Sequence, residues 1–182
     1  MPTINGRVCV VNGTPVDKVF NNGRQVYGRN LLTGTQNWQG EWLNLSKWSV
    51  PAGEETYKGL TVRSFPTAWW ALGQYYDAKP NTTYTFSFYA KASEAGNIMD
   101  IYTLDKEDWS SPVVSPPVFA NRNITTEWKR YSITFTTKNG GKILPSFCST
   151  RDGISIYAAG YKLEEGSVAT PWTPAPEDVG VK

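Results

Sequence analysis

From about residue 30 onward, the chain alternates apolar and polar side chains with a period of two. Along residues 84–91, Tyr84, Phe86, Phe88 and Ala90 fall on one side, and Thr85, Ser87, Tyr89 and Lys91 on the other. The first set reads as core, the second as a polar face carrying one large aromatic. Residues 129–137 repeat the pattern, with Tyr131, Ile133 and Phe135 inward and Arg130, Ser132, Thr134 and Thr136 outward. Further strands are expected at 56–65, 97–104, 143–149, 154–158 and 161–164, with turns at Lys79-Pro80-Asn81-Thr82 and Lys138-Asn139-Gly140-Gly141. No stretch carries the 3.6-residue spacing of an amphipathic helix. The pattern predicts an all-β, two-sheet antiparallel β-sandwich over residues 30–170, with Phe86, Phe88, Tyr131, Ile133, Phe135 and Ile156 between the sheets.

The two ends read differently. Residues 1–29 are polar, with Asn5-Gly6, Asn12-Gly13 and Asn22-Gly23 separating short valine-rich runs. Asn-Gly is a strong hairpin signal because both residues tolerate positive φ. Strands at 7–11, 16–20 and 24–27 would form a hairpin-like connector arm, too small to bury a core alone. Such an arm docks on the main domain or on another chain, or serves as a linker. At the other end, 171–182 is rich in proline, which cannot occupy a central strand, so this tail is expected to leave the domain as an extended linker.

Composition then narrows the function. A formal net charge of +2 and the lack of any Lys/Arg block disfavour nucleic-acid binding, which depends on neutralising phosphates. With 0 histidines, Ser-His-Asp and Cys-His catalysis and HExxH zinc sites are excluded. The 2 cysteines, Cys9 and Cys148, lack metal-ligand spacing, and Cys148 after Phe147 reads as a small buried residue. No apolar run approaches the ~18 residues of a membrane span, so membrane insertion is not expected. Met1-Pro2-Thr3 leads into polar sequence without the form of a secretory signal.

Tryptophan is the outstanding excess. The chain has 8, and Trp38, Trp42, Trp48, Trp69 and Trp70 lie among small and polar residues in its first half. An indole is hard to bury without a partner for its N–H, so a surplus on a β scaffold suggests a stacking surface, with sugar rings as the obvious ligands. Trp69-Trp70, followed closely by Tyr75-Tyr76, is the leading candidate. Against it stands the possibility that one indole of the pair caps the core. Trp109 sits in a polar loop, whereas Trp128 and Trp172 read as structural. Asp100, Asp105, Glu107 and Asp108 cluster at a strand end and are explained as solvated charges. A glycosidase would need two carboxylates flanking a scissile bond, and none is isolated in that way.

Several stretches resemble a known family. Asn30-Leu31-Leu32, residues 79–91, residues 128–135 and the ending Gly160-Tyr161-Lys162-Leu163-Glu164-Glu165-Gly166 through Asp178 resemble jelly-roll carbohydrate-binding modules of the family 4/9/22 type. The ending in particular is similar to modules of tail and baseplate proteins from phages of Gram-positive bacteria, lactobacilli above all. Residues 12–19 and 22–30 resemble the connector before such modules. The resemblance covers nearly the whole chain and is least specific over 36–75, where most aromatic candidates lie.

It implies a non-catalytic module in the virion tail, acting at the bacterial surface, with host cell-wall or capsular polysaccharide and other phage tail proteins as partners. Sugar faces would stack on Trp69 or Trp70 and on Tyr75 or Tyr76. Tyr89, Asp100, Asp105, Trp109 and Arg151 would form the next shell, with charged groups bonding hydroxyls. No cofactor is expected; a structural calcium ion is compatible with the family. The alternatives are a tail spacer that binds no glycan and a glycan-degrading enzyme.

Overall fold

The computed structural model describes residues 7–105, 114–115 and 118–180. The arm folds as two hairpins, β1 (Val10–Val11) with β2 (Thr14–Pro15) and β3 (Lys18–Asn21) with β4 (Arg24–Gly28). Asn12 and Gly13 have φ of 51° and 81°, and Asn22 and Gly23 of 49° and 75°, the double positive-φ geometry expected of Asn-Gly. Asn5-Gly6 lies outside the described residues.

The remaining strands are β5 (Thr56–Tyr57), β6 (Leu60–Thr61), β7 (Arg63–Phe65), β8 (Leu72–Gly73), β9 (Tyr76–Ala78), β10 (Thr83–Ala92), β11 (Gly96–Asp105), β12 (Val114–Ser115), β13 (Val118–Ile124), β14 (Lys129–Thr137), β15 (Gly141–Ser149) and β16 (Ile156–Glu165). One sheet has the order β12-β14-β10-β16-β7; the other runs β13-β11-β15-β8, with β9 also on β15. The pairings within both sheets are antiparallel. The two sheets enclose Tyr84, Phe86, Phe88, Ile133, Phe135, Ile156, Met99, Ile101 and Phe147, all buried, and Tyr131 packs on them partly exposed. Phe88 stacks on Phe147 across the interface at 4.4 Å between centroids. Period-two burial on both strands is what creates this single core. The architecture is a two-sheet antiparallel jelly roll.

Two expectations are corrected by packing. The stretches 154–158 and 161–164 are one strand, because its register against β10 shifts at Gly160, which has φ of 59°. Through this bulge Ala158 and Tyr161 face the core, while Ala159 joins a second, outward cluster with Leu60 and Val62. The far side of β10 is not simply polar and solvated, since Thr85 and Ser87 are themselves buried.

The cover over that side comes from both chain ends. The tail does not depart as an extended linker: Thr170, Thr173, Ala175 and Pro176 are buried, and a short 3₁₀ helix (Pro176–Val179) closes it. Gly28 of the arm donates its N–H to Thr170 Oγ1 at 3.0 Å, and a Cβ at Gly28 would meet Glu164 Oε2 at 1.9 Å. Lys162, fully buried, donates to Thr170 Oγ1, Pro171 O and Thr173 Oγ1, and lies 5.4 Å from the ring centre of Tyr27. Glu164 accepts from the N–H and hydroxyl of Thr170. Arg29 joins the ends at the surface by pairing with Glu177 of the tail and, at 3.7 Å, with Asp17 of the arm.

Candidate functional site

The outward face of the other sheet is only partly covered: Leu144, Ser146 and Cys148 are buried, while Tyr102 stays partly exposed. Alternation along β11 sends Met99 and Ile101 into the core and leaves Asp100 and Tyr102 on the outer side. On β15 the outward residues are Leu144, Ser146 and Cys148. Register aligns Gly73, Ser146 and Tyr102 in one row, and Cys148 with Asp100 in the next. Gly73 must lack a side chain, because a Cβ there would lie 2.5 Å from that of Ser146.

Walls rise from two irregular segments. Leu43 donates its N–H to Gly73 O at 2.8 Å and so extends the sheet past β8. The Asn44 side-chain amide donates to Ala71 O at 2.7 Å, tying this wall to the segment 66–71. Trp69 takes φ of 67°, unusual for a bulky residue, and its N–H donates to Ser149 O at 2.9 Å. Trp69 and Trp70 remain 62% and 41% exposed. Leu43, Asn44, Trp69, Trp70, Ala71 and Tyr102 line a cavity of about 570 Å³. Lys47 lies 5.3 Å from the Trp70 ring centre at its rim.

The floor is polar and largely buried. Asp100, 7% exposed, accepts the Asn121 N–H at 2.7 Å. Burial, then the neighbouring Cys148 and Asp100, hold the Tyr102 phenol well above its ordinary range, with hydrogen bonds to both contributing. Burial pushes the Cys148 thiol up to about 12, so it stays protonated at neutral pH and is no nucleophile. The Ser146 hydroxyl is buried without a hydrogen-bond partner beneath this row.

The residues singled out from sequence scatter over the molecule. Trp69 and Trp70 meet in the groove and Asp100 lies in its floor. Tyr75 and Tyr76 divide: the constant register on either side sets Tyr75 opposite Leu144 on the outward face, whereas Tyr76 packs on the core against Tyr84, 6.0 Å between centroids. Burial pushes the Tyr76 phenol up to about 12. Arg151 sits in the turn beside the Trp69 segment, but its guanidinium pairs with Glu94 at 2.9 Å. Tyr89 belongs to the opposite face of the sandwich. Asp105 ends β11, and only its backbone is described. Trp109 lies outside the described residues.

Three other tryptophans are structural. Trp38 and Trp48, each 2% exposed, donate their indole N–H to Thr61 O at 2.8 Å and Trp70 O at 3.0 Å. Trp42 packs edge-on against Trp38 at 4.7 Å. The segment 31–55 has no named strand, and these indoles anchor it to the sandwich. The sequence reading missed Tyr102; period-two alternation along the expected strand 97–104 would have placed it on the same side as Asp100. Leu43 and Asn44 carried no signal.

No protein-family model matches this chain. No curated protein matches it. Among solved structures, the carbohydrate-binding module TmCBM61, determined with β-1,4-galactotriose, aligns at TM-score 0.52 and 16% identity, covering 76% of this chain and 100% of that one. A putative sugar-binding protein from Bacteroides thetaiotaomicron aligns at TM-score 0.51 and 13% identity, again covering 76% and 100%. The chain shares their fold. The tripod from the baseplate of bacteriophage Tuc2009 aligns at TM-score 0.47 and 15% identity, covering 82% of this chain and 59% of that one, a likeness too loose to carry an argument.

Proposed function

We propose that this chain is a non-catalytic carbohydrate-binding module of a phage tail and that it holds host cell-wall polysaccharide in the Trp69–Trp70 groove. The observation that carries this reading is the pair of adjacent, exposed indoles bordering a cavity on the outward side of the β11–β15 sheet. Solvating large apolar rings is unfavourable, and sugar C–H faces cover such rings while leaving hydroxyls free to hydrogen-bond. Tyr102 and Asn44 supply polar groups at the groove, while Asp100, spent on Asn121, orients the floor. The reading is supported by the shared fold with a module solved with a galactotriose. Its placement in a phage tail rests on the resemblance of residues 12–30 and 160–178.

Stacking and neutral hydrogen bonds give modest affinity per module, which multiple copies in a tail would amplify. Among the described residues no group of three or more Cys, Asp or Glu side chains gathers as a metal site. Purified protein is expected to pull down with host cell walls, with competition by free wall polysaccharide. A folded Trp69→Ala/Trp70→Ala protein that binds walls as well as the parent does would remove the groove from the reading. A parent that binds no wall or glycan would make the chain a tail spacer.

A further inference from the structure

The opposite face of the sandwich carries a different surface. The β5–β6 hairpin turns through Lys58 and Gly59, with φ of 53° and 77°, and folds over the outward side of β10. Tyr57 stacks on Trp128, 4.4 Å between centroids and 13° between planes, and meets Tyr89 edge-on at 5.3 Å. Gly160 allows this approach, because a Cβ there would come within 3.2 Å of Tyr89 Cδ2.

Three cations lie over these rings, and among the described residues only Lys91 belongs to an ion pair. Lys91, 4.8 Å from the Tyr157 ring centre, pairs with Glu54 at 2.7 Å. Lys58 Nζ is 5.2 Å and Arg130 Cζ 5.7 Å from the centre of Tyr89. Neither belongs to an ion pair among the described residues. Arg130 is half-buried; its Nη2 donates to Ser87 Oγ at 2.7 Å, and its Nε is buried with no acceptor. Burial lowers its pKa, with Tyr89 and Glu164 acting in the other direction. Glu164 is already committed to Thr170 and shares its layer with Lys162.

A partly desolvated guanidinium that joins no ion pair among the described residues is unfavourable, and an oxyanion beside it supplies counter-charge. The planar arginine fork suits carboxylate and phosphate oxygens, and an aromatic surface beside it suits a sugar ring. We propose that Lys58, Tyr89 and Arg130 form a second binding site, back to back with the Trp69–Trp70 groove, for an anionic substituent carried on a glycan. The shared chemistry is an oxyanion, from either a uronate carboxylate or a backbone phosphodiester. This site is independent of the groove and stands or falls separately.

Titration calorimetry of the full chain with oligogalacturonate, poly(glycerol phosphate) and neutral dextran tests it. At least one of the two anionic polymers is expected to bind, and which one does so identifies the oxyanion. That binding should weaken as salt rises and fall about tenfold or more in Lys58→Gln and Arg130→Gln. It should survive Trp69→Ala/Trp70→Ala unchanged. Lys58 lies on an exposed turn, so its variant reports binding even if Arg130→Gln disturbs packing. Failure of both anionic polymers to bind, equal binding of dextran, or unchanged affinity in Lys58→Gln would overturn the proposal. Loss of anion binding in the double tryptophan variant would assign it to the groove instead, which also overturns it.

Discussion

The two outward faces of this sandwich are built from the same alternating strands, yet one is covered by both chain ends over much of its length and the other keeps an open groove. Over β10 and β16, arm and tail cover Lys162 and Glu164, and the outward hydroxyls of Thr85 and Ser87 are buried. Over β11 and β15, irregular segments stand at the side and leave Trp69 and Trp70 exposed beside a polar, largely buried floor. Alternation assigns a residue to a face; what later covers that face decides whether it becomes structure or site. On the closed face a buried charge is held by three acceptors, and on the open face apolar rings have no cover.

The sharpest test of the closed face is Lys162→Met. Removing the ammonium leaves Glu164 buried without its neighbouring cation and frees the acceptors of Thr170, Pro171 and Thr173. A loss of about 3–5 kcal/mol in chemical denaturation is expected. A loss below about 1 kcal/mol would show that the two ends are not locked through this residue.

The open face should respond in the opposite way. Trp69→Ala/Trp70→Ala should change stability by about 1–2 kcal/mol or less, since Trp69 is mostly exposed and Trp70 partly so. Glycan affinity should fall about five- to thirty-fold for each stacking ring lost, equivalent to about 1–2 kcal/mol. Denaturation and wall-binding assays on the same preparation separate the two effects. A large stability loss would make the groove wall part of the core.

The pH dependence also distinguishes the faces. Burial lowers the Lys162 pKa from its ordinary 10.5 to about 8. Between those values the unfolded chain holds a proton that the folded chain has released, so stability should rise with pH across the window. Cys148 and the buried tyrosines, whose values are raised, act with the opposite sign. The informative quantity is therefore the parent's stability minus that of Lys162→Met, which should grow by about 1–2 kcal/mol from pH 8 to pH 10. A flat difference would show the lysine to be well solvated.

The smallest effect is expected at Asp100→Asn. The amide keeps an oxygen for the Asn121 N–H but weakens the hold on the Tyr102 phenol. Glycan affinity should drop about two- to ten-fold, with stability changing by about 1 kcal/mol or less. An unchanged affinity would detach Tyr102 from binding.

Much of the sandwich was legible because alternation is a local signal. Residues 129–137 form β14 over the expected span, and Phe86, Phe88 and Phe135 are core as their parity required. The strand β13 went unseen because Val118-Phe119-Ala120-Asn121-Arg122 alternates poorly, and β16 looked like two strands because the Gly160 bulge resets its parity. In the groove, the Trp69-Trp70 doublet stood out by composition. Its polar floor was half seen, with Asp100 noted and Tyr102 passed over.

The sequence by itself determined the class of fold, the core strands and the Asn-Gly turns, since side-chain parity and backbone φ preference act within a few residues. It also determined that indoles exceed what a core readily absorbs. Only the tertiary structure decided which indoles those are. Trp38 and Trp48 found acceptors in Thr61 and Trp70, residues 23 and 22 positions away, and were buried. Trp69 and Trp70 found no comparable cover. The fate of the proline-rich tail was decided in the same way, by Thr170 and Thr173 meeting Lys162. Burial of a large or charged side chain depends on partners brought from distant parts of the chain, and no local pattern records who those partners will be.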